Sequence, residues 1–253
     1  ILGAPGYWQC FAKPRGYAGD YVAMLHCMED KRLGDTLYDK LTHRMGRDQP
    51  LARSVLHRKD HLRKLIQRTV RTGPDPVRIL SLACGPALEV AEFADQYTSG
   101  PRVEFTLVDQ DNKALSFANR NISRAAATKR SSLRFYYRYL AFSQLRDPKV
   151  FDSIQRQHLL YVSGLFDYLR TETCQMLAAG LFQLVQPGGA LVMGNMRAPV
   201  DARWTPSYML DWQLLYRTEE QMMRIVETIP ATHCQVTLEP VGHYYVLTVE
   251  RTA

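Results

Sequence analysis

Apolar and polar positions change rhythm once along this chain. Up to about residue 72 the apolar side chains recur at helical spacing. LGDTLYDKLTHRM (33–45) and RSVLHRKDHLRKLIQRTVR (53–71) both predict amphipathic helices, and in the second Val55, Leu62, Ile66 and Val70 form a stripe with charges on the other faces. RTGPDP (71–76), with one glycine and two prolines, marks a boundary. Beyond it short apolar runs alternate with helical segments. VRILSLA (77–83), VEFTLVD (103–109), LRFYYRYL (133–140), HLLYVSG (158–164) and ALVMGNM (190–196) read as strands. EVAEFADQY, KALSFANRNISRAAA and TCQMLAAGLFQLV read as helices between them, the last ending at the turn signal QPGG, with a short irregular stretch near SQLRDPKVFDSIQ. Such alternation predicts a parallel sheet with crossover helices. CQVTLEPVGHYYVLTVE, near the C-terminus, reads as two runs joined at Pro240, Val241 and Gly242, which favours an antiparallel pair. The expected fold class is α/β, a doubly wound and mostly parallel sheet closed by a hairpin. A helical N-terminal segment, 1–72, is laid over the domain formed by 73–253.

Composition narrows the partners. A chain of 253 residues that is 46% hydrophobic can bury a sizeable core as one large domain. No stretch approaches the ~18 apolar residues of a membrane span, and the start, ILGAPGYWQCFAKPRG, lacks the basic-then-apolar order of a secretory signal. The expectation is a cytoplasmic protein with no membrane partner. Cys10, Cys27, Cys84, Cys174 and Cys234 are odd in number and never paired as C-x-x-C, so neither a disulfide framework nor a zinc site is expected, and no metal. The net charge of +7 comes from scattered Lys and Arg, and its main concentration, the 53–71 helix, reads as a solvated face. A small-molecule substrate is therefore expected and nucleic acid is not. A homodimer is left open.

In an open parallel sheet, ligands settle beyond the carboxyl ends of the strands near the point where winding reverses. Gly85 follows the first strand and lets the backbone approach a ligand closely. Neither the G-K-[ST] of a P-loop nor the G-x-G-x-x-G of a dinucleotide fold is present, so an adenosyl ligand without phosphates fits better. Asp109, ending the second strand in FTLVDQDNKAL, is placed to accept hydrogen bonds from ribose hydroxyls, with Asp111 as the reserve. The bland alternative for Asp109 is a cap for the next helix.

These segments carry a resemblance. ILSLACGPALE, LVDQD, LLYVSGLFDYL and LVQPGGALVMGNM together resemble the class I S-adenosylmethionine-dependent methyltransferases, from about residue 77 to the end. The resemblance implies a seven-stranded Rossmann-like sheet and S-adenosylmethionine as cosubstrate. It also implies a donor-binding set of Ala83, Cys84, Gly85, Asp109, Gln110, Asp111, Ser163 and Gly164. The chain departs from that family where Ser81 replaces an acidic residue and where Ala83 and Ala87 replace glycines. AKPRGYAGDY (12–21), SGLFDYL and MLDWQLLYR (209–217) are similar to a narrower bacterial subgroup of secondary metabolism. Some of its members are assigned the synthesis of a 3-hydroxy fatty-acid methyl ester signal. A further similarity is to enzymes that cyclise the aminobutyrate arm of S-adenosylmethionine to azetidine-2-carboxylate.

A sulfonium methyl donor is already activated, so the protein mainly has to align a nucleophile and exclude water. That matches a sequence with no Ser/His/Asp signature and no H-E-x-x-H, His57 and His61 in HRKDH being read as surface residues. GYAGDY reads as a lid in which Gly16 and Gly19 bend, Tyr17 and Tyr21 wall the pocket and Asp20 holds the donor's amino group. The competing reading is a turn that anchors the helical segment. The resemblance places Tyr161, Ser163, Gly164, Asp167 and Tyr168 of YVSGLFDYL where donor and acceptor meet, with Ser163 and Tyr168 as the acceptor-side candidates and Leu165 and Phe166 as packing. In LRFYYRYL, Phe135, Tyr137 and Tyr139 are expected on one buried face. Arg197 or Arg217 suits a carboxylate of acceptor or donor, and Trp212 suits a shield for the sulfonium, unless its segment is an ordinary amphipathic helix. Three functions remain side by side: an O-methyltransferase acting on a small molecule such as a carboxylic acid, an intramolecular cyclase releasing methylthioadenosine, and a non-catalytic binding module.

Overall fold

The computed structural model describes residues 1–129, 131–198, 201–230 and 233–252. Its centre is a seven-stranded sheet in the order β3-β2-β1-β4-β5-β7-β6. Strands β1 (Val77–Leu82), β2 (Val103–Asp109), β3 (Leu133–Tyr139), β4 (Gln157–Val162) and β5 (Val185–Met196) run parallel. The hairpin β6 (His233–Leu238) and β7 (Tyr244–Glu250) is antiparallel and docks on β5 through β7. The order moves outward from β1 to β3 and then returns to β4 on the other side, so winding reverses between β1 and β4. Strand β1 is buried at five of its six positions, as expected for a strand covered on both faces.

Helices cover both faces. On one, α5 (Leu88–Gln96) and α6 (Asn112–Ala125) share an apolar core with α1 (Pro5–Ala12), α2 (Tyr21–Met28) and α4 (Pro50–Thr72). On the other lie α7 (Thr171–Gln183) and α8 (Glu219–Arg224). Helix α4, with 23 residues and so about 34 Å long, opens on Pro50 and buries Leu51, Val55, Leu62, Ile66 and Val70. Helix α3 (Leu37–Arg47) begins four residues later than the pattern suggests, because Thr36 and Asp39 form a reciprocal capping box.

Four sequence expectations are corrected. Strand β5 starts at Val185 rather than 190: QPGG lies inside it as an irregularity, with Gln157 opposite Val185 but Leu159 opposite Ala190, and Gly188 at φ +74°. Segment 210–217 is not a helix, since Asp211 turns left-handed at φ +47° and the chain then runs irregularly to the Arg197–Arg217 bridge. Tyr139 is 54% exposed at the sheet edge, so the buried face of β3 holds Leu133, Phe135 and Tyr137 without it. His57 and His61, read as surface residues, are half-buried on α4. All five cysteines are free thiols. Among the described residues no helix is long and apolar enough to cross a membrane, and no cluster of three or more metal-binding side chains forms.

Candidate functional site

A cavity of about 460 Å³ opens beyond the carboxyl ends of β1, β2 and β4, at the reversal of winding. Ala83, Cys84, Gly85 and Pro86 after β1, Asp109 and Gln110 at the end of β2, and Ser163 and Gly164 after β4 form its floor. Gly16, Tyr17, Gly19 and Tyr21 from the 13–20 loop and the start of α2 form its roof, together with Arg58, Lys59 and Leu62 of α4.

The turn from β1 into α5 is held in an unusual backbone state. Ala83 at φ +54°, Gly85 at +54° and Ala87 at +47° are all left-handed. Only glycine adopts that region freely, and an L residue pays about 1–2 kcal/mol there. The two positions where the methyltransferase pattern has glycine are therefore occupied by alanines that keep the glycine conformation. At Gly85 the Cβ direction meets nothing within 4 Å and points into open space, so only the left-handed backbone favours glycine there and its bare side faces the cavity.

Asp109 locks this turn. Its Oδ2 accepts the Gly85 amide at 2.8 Å and its Oδ1 accepts the Asp111 amide at 2.9 Å. Burial pushes the Asp109 carboxyl up, although the amides of Gly85, Asp111 and Gln110 pull it back. Asp111, by contrast, does not border the cavity. It caps α6 through the Lys113 amide and accepts hydrogen bonds from Nε and Nη2 of Arg15 in the loop above. Burial works to raise its carboxyl, but Arg15 and the capping amides prevail and hold it below the usual carboxylate range.

The roof is organised by Asp20, and here the anchoring reading wins. Asp20 is fully buried, its Oδ1 accepts the amides of Val22 and Ala23, both at 2.9 Å, and its Oδ2 accepts Gln9 Nε2 at 2.6 Å. It is the N-cap of α2 and does not line the cavity, so its expected contact with an amino group is replaced by a structural one. Tyr17 and Tyr21 do line it. Burial raises the Tyr17 phenol, and the carboxylates of Asp109, Asp111 and Asp20 push it the same way. Gly19 is tightly enclosed: an added Cβ would lie 2.3 Å from Tyr168 Oη and 2.8 Å from Trp212 Cζ2.

Tyr168 and Ser163 reach the cavity; Trp212 and Arg197 do not. Trp212 Nε1 donates to Tyr168 Oη at 2.8 Å, and its ring borders a separate small cavity of about 80 Å³ beside α1–α3. Arg197 donates to the Gly242 carbonyl at 3.1 Å. Arg217 is buried and donates to the carbonyls of Phe166 and Leu169 and to Asn195 Oδ1. Both candidate arginines are thus committed to holding the chain after β5.

Sequence reasoning missed three charged lining residues, Arg58, Lys59 and Glu89, whereas Tyr161, expected where donor and acceptor meet, does line the cavity. Arg58 and Lys59 are 6% and 7% exposed, on a helix read as solvated. The signal was present, because both fall three or four residues from Val55 and Leu62, inside the apolar stripe. Glu89 lies in the first turn of α5, four residues before the buried Phe93, and accepts a 2.8 Å hydrogen bond from Tyr161 Oη. Burial raises the Glu89 carboxyl, with the Tyr161 hydrogen bond opposing. The arrangement can therefore take a neutral or cationic ligand with hydroxyls at Asp109, close backbone contact at Gly85, and a roof of aromatic and charged groups.

No protein-family model matches the chain, and no curated protein matches it significantly in sequence. Solved structures match it in shape. A structure described as a possible exported protein from Bordetella parapertussis superposes at TM-score 0.73 with 18% identity, over 92% of this chain and 80% of that one. Magnesium protoporphyrin IX methyltransferase from Synechocystis PCC 6803, solved with bound S-adenosylhomocysteine, superposes at 0.58 with 10% identity, over 92% and 93%. An O-methyltransferase family protein from Burkholderia thailandensis superposes at 0.54 with 16% identity, over 84% and 63%. Together with the strand order, these likenesses establish the fold of this chain: the Rossmann-like α/β fold of the class I methyltransferases.

Proposed function

We propose that the cavity binds S-adenosylmethionine and that the protein transfers its methyl group to an oxygen of a small-molecule acceptor, a carboxylic acid being the favoured class. The observation that carries this reading is the Gly85–Asp109 pair at the reversal of winding. A carboxylate bordering the cavity at the end of β2 suits the two hydroxyls of a ribose, and the open side of Gly85 suits a nucleoside lying against the backbone. Ala83, Cys84, Gln110 and Gly164 complete the donor side, and Ser163 and Tyr168 the acceptor side. The roof of Tyr17 and Tyr21 supports exclusion of water, which is most of what an activated methyl donor requires.

A second reading has one observation in its favour. The buried Glu89–Tyr161 pair lies on the cavity wall, and a carboxyl raised by burial is a proton acceptor suited to an ammonium group. In that reading Glu89 takes a proton from the donor's α-ammonium, the freed amine attacks its own γ-carbon, and the carbon–sulfur bond breaks to release methylthioadenosine and azetidine-2-carboxylate. One incubation separates the two: purified protein with S-adenosylmethionine alone, then with a panel of acids, followed by mass spectrometry. S-adenosylhomocysteine formed only with an acid supports methyl transfer. Methylthioadenosine above the spontaneous rate without any acid overturns it in favour of cyclisation. Tight binding with neither coproduct leaves a sensing module.

A further inference from the structure

We propose that Arg58 is the carboxylate-binding residue of the cavity, so that an organic carboxylate completes the site. The inference rests on the functional reading above and deepens it. Two cations line the cavity, Arg58 and Lys59, one after the other on α4. Lys59 is matched, its Nζ paired with Glu92 and with Asp60 at 3.4 Å. Arg58 is not: among the described residues no carboxylate oxygen lies within ion-pair distance of its guanidinium. Its surroundings are otherwise apolar or neutral. One Nη contacts Met24 Sδ at 3.4 Å, the guanidinium lies 5.0 Å above the centre of the Tyr244 ring, and its Nη2 stands 3.0 Å from where a Cβ on Gly164 would be. Asp167 feels the charge of Arg58 but spends its Oδ1 on the Met196 amide and makes no ion pair with it.

A guanidinium that is 6% exposed, aimed into a cavity and stripped of an acidic partner is costly unless an anion meets it. Its fork of donors fits a carboxylate in two parallel hydrogen bonds, where a lysine would offer only a point charge. The glycine at 164 matters for the same reason, since any side chain there would press on the fork. Met24, Met28 and Leu62 form apolar wall nearby, so the carboxylate is expected at the head of an apolar body or at the end of the donor's amino-acid arm. Arg197 and Arg217, the arginines favoured from sequence, are committed to main-chain carbonyls and leave this role to Arg58.

The test uses the full chain and two variants, Arg58→Gln and Arg58→Lys, with calorimetry and thermal shift. The probes are S-adenosylhomocysteine, methylthioadenosine as the same nucleoside without a carboxylate, and straight-chain carboxylates from butanoate to dodecanoate with their amides. Methylthioadenosine is expected to bind all three proteins equally, which also certifies folding. A loss of roughly 10- to 100-fold in S-adenosylhomocysteine affinity in Arg58→Gln assigns the donor's carboxylate to Arg58. Unchanged S-adenosylhomocysteine affinity, with carboxylates but not amides stabilising the wild type and neither stabilising Arg58→Gln, assigns the acceptor's carboxylate. In either case Arg58→Lys is expected to recover only part of the loss. If Arg58→Gln matches the wild type for every probe, or no carboxylate-bearing probe binds the wild type, the proposal is overturned. Wild-type protein that takes carboxylates while refusing both nucleosides sinks the donor reading and leaves Arg58 standing.

Discussion

Asp109, the last residue of β2, and Gly85, in the turn after β1 and 24 residues earlier, are joined by a 2.8 Å hydrogen bond from the Gly85 amide to Asp109 Oδ2. The pair makes the end of β2 a clamp on the turn after β1. Asp109→Ala would leave the Gly85 and Asp111 amides without their acceptor, at about 1–3 kcal/mol for each that stays dry. The expected result is a lower melting temperature and at least ~10-fold weaker binding of S-adenosylhomocysteine, with Asp109→Asn milder on both counts. An Asp109→Ala protein that binds normally would remove the clamp from the functional argument.

The left-handed alanines make a prediction of opposite sign. Ala83→Gly and Ala87→Gly should relieve strain of about 1–2 kcal/mol each and lose about 0.5–1 kcal/mol to the freer unfolded chain. The net for each substitution is a protein between about 0 and 1.5 kcal/mol more stable, read by chemical denaturation. Ala87→Val, β-branched at φ +47°, should cost at least ~2 kcal/mol.

The roof is fastened where Gly19 meets Tyr168 and Trp212. Gly19→Ala should cost about 1–3 kcal/mol, since the new methyl enters a space 2.3 Å from Tyr168 Oη. Tyr168→Phe should cost about 1 kcal/mol by freeing Trp212 Nε1. Because the second change removes the atom the first collides with, the double variant should lose at least ~0.5 kcal/mol less than the sum. Strict additivity would show that the loop has moved away.

Acid should weaken the N-terminal helices. Burial, with the positive charge of His43, pushes His26 down to about 4, and burial lowers His43 as well. The rings meet edge to face at 5.1 Å, and His43 Nδ1 accepts the Gly6 amide, a contact its protonation would end. The folded-state value lies below the unfolded one of about 6.5, so the stabilisation is complete above that pH and is lost as pH falls from about 6.5 toward 4. His26→Gln should flatten the melting temperature across this window, and an unchanged slope would assign the acid lability elsewhere.

Strands were readable because their burial leaves short, predominantly apolar runs: β2 matches its expected bounds, and β1 and β4 differ from theirs by at most two residues at an end. The roof was less readable, because a local signal has two meanings there. Asp20 looks the same as a ligand or as a cap until the amides of Val22 and Ala23 are seen to take its oxygens. QPGG looks like a turn and is a bulged strand, since pairing with β4 is a long-range fact. Arg58 was missed for a different reason. Charge on a helix is ordinarily solvated, and only its register with Val55 and Leu62 distinguishes a cation that faces inward.

Two residues along the backbone separate two uses of a carboxylate: Asp109 faces the cavity, and Asp111, which donates its own amide to Asp109, grips Arg15 of the overlying loop. Arg15→Ala should therefore weaken ligand binding by roughly 3- to 10-fold without touching the cavity wall, and should speed proteolytic cutting within 13–20. Thermodynamic reciprocity makes the traffic two-way: whatever factor an ordered loop adds to the grip on a guest, the guest must return to the ordering of the loop. Occupancy would then be legible from outside, as protection of a stretch of main chain that never meets the ligand's reactive atom.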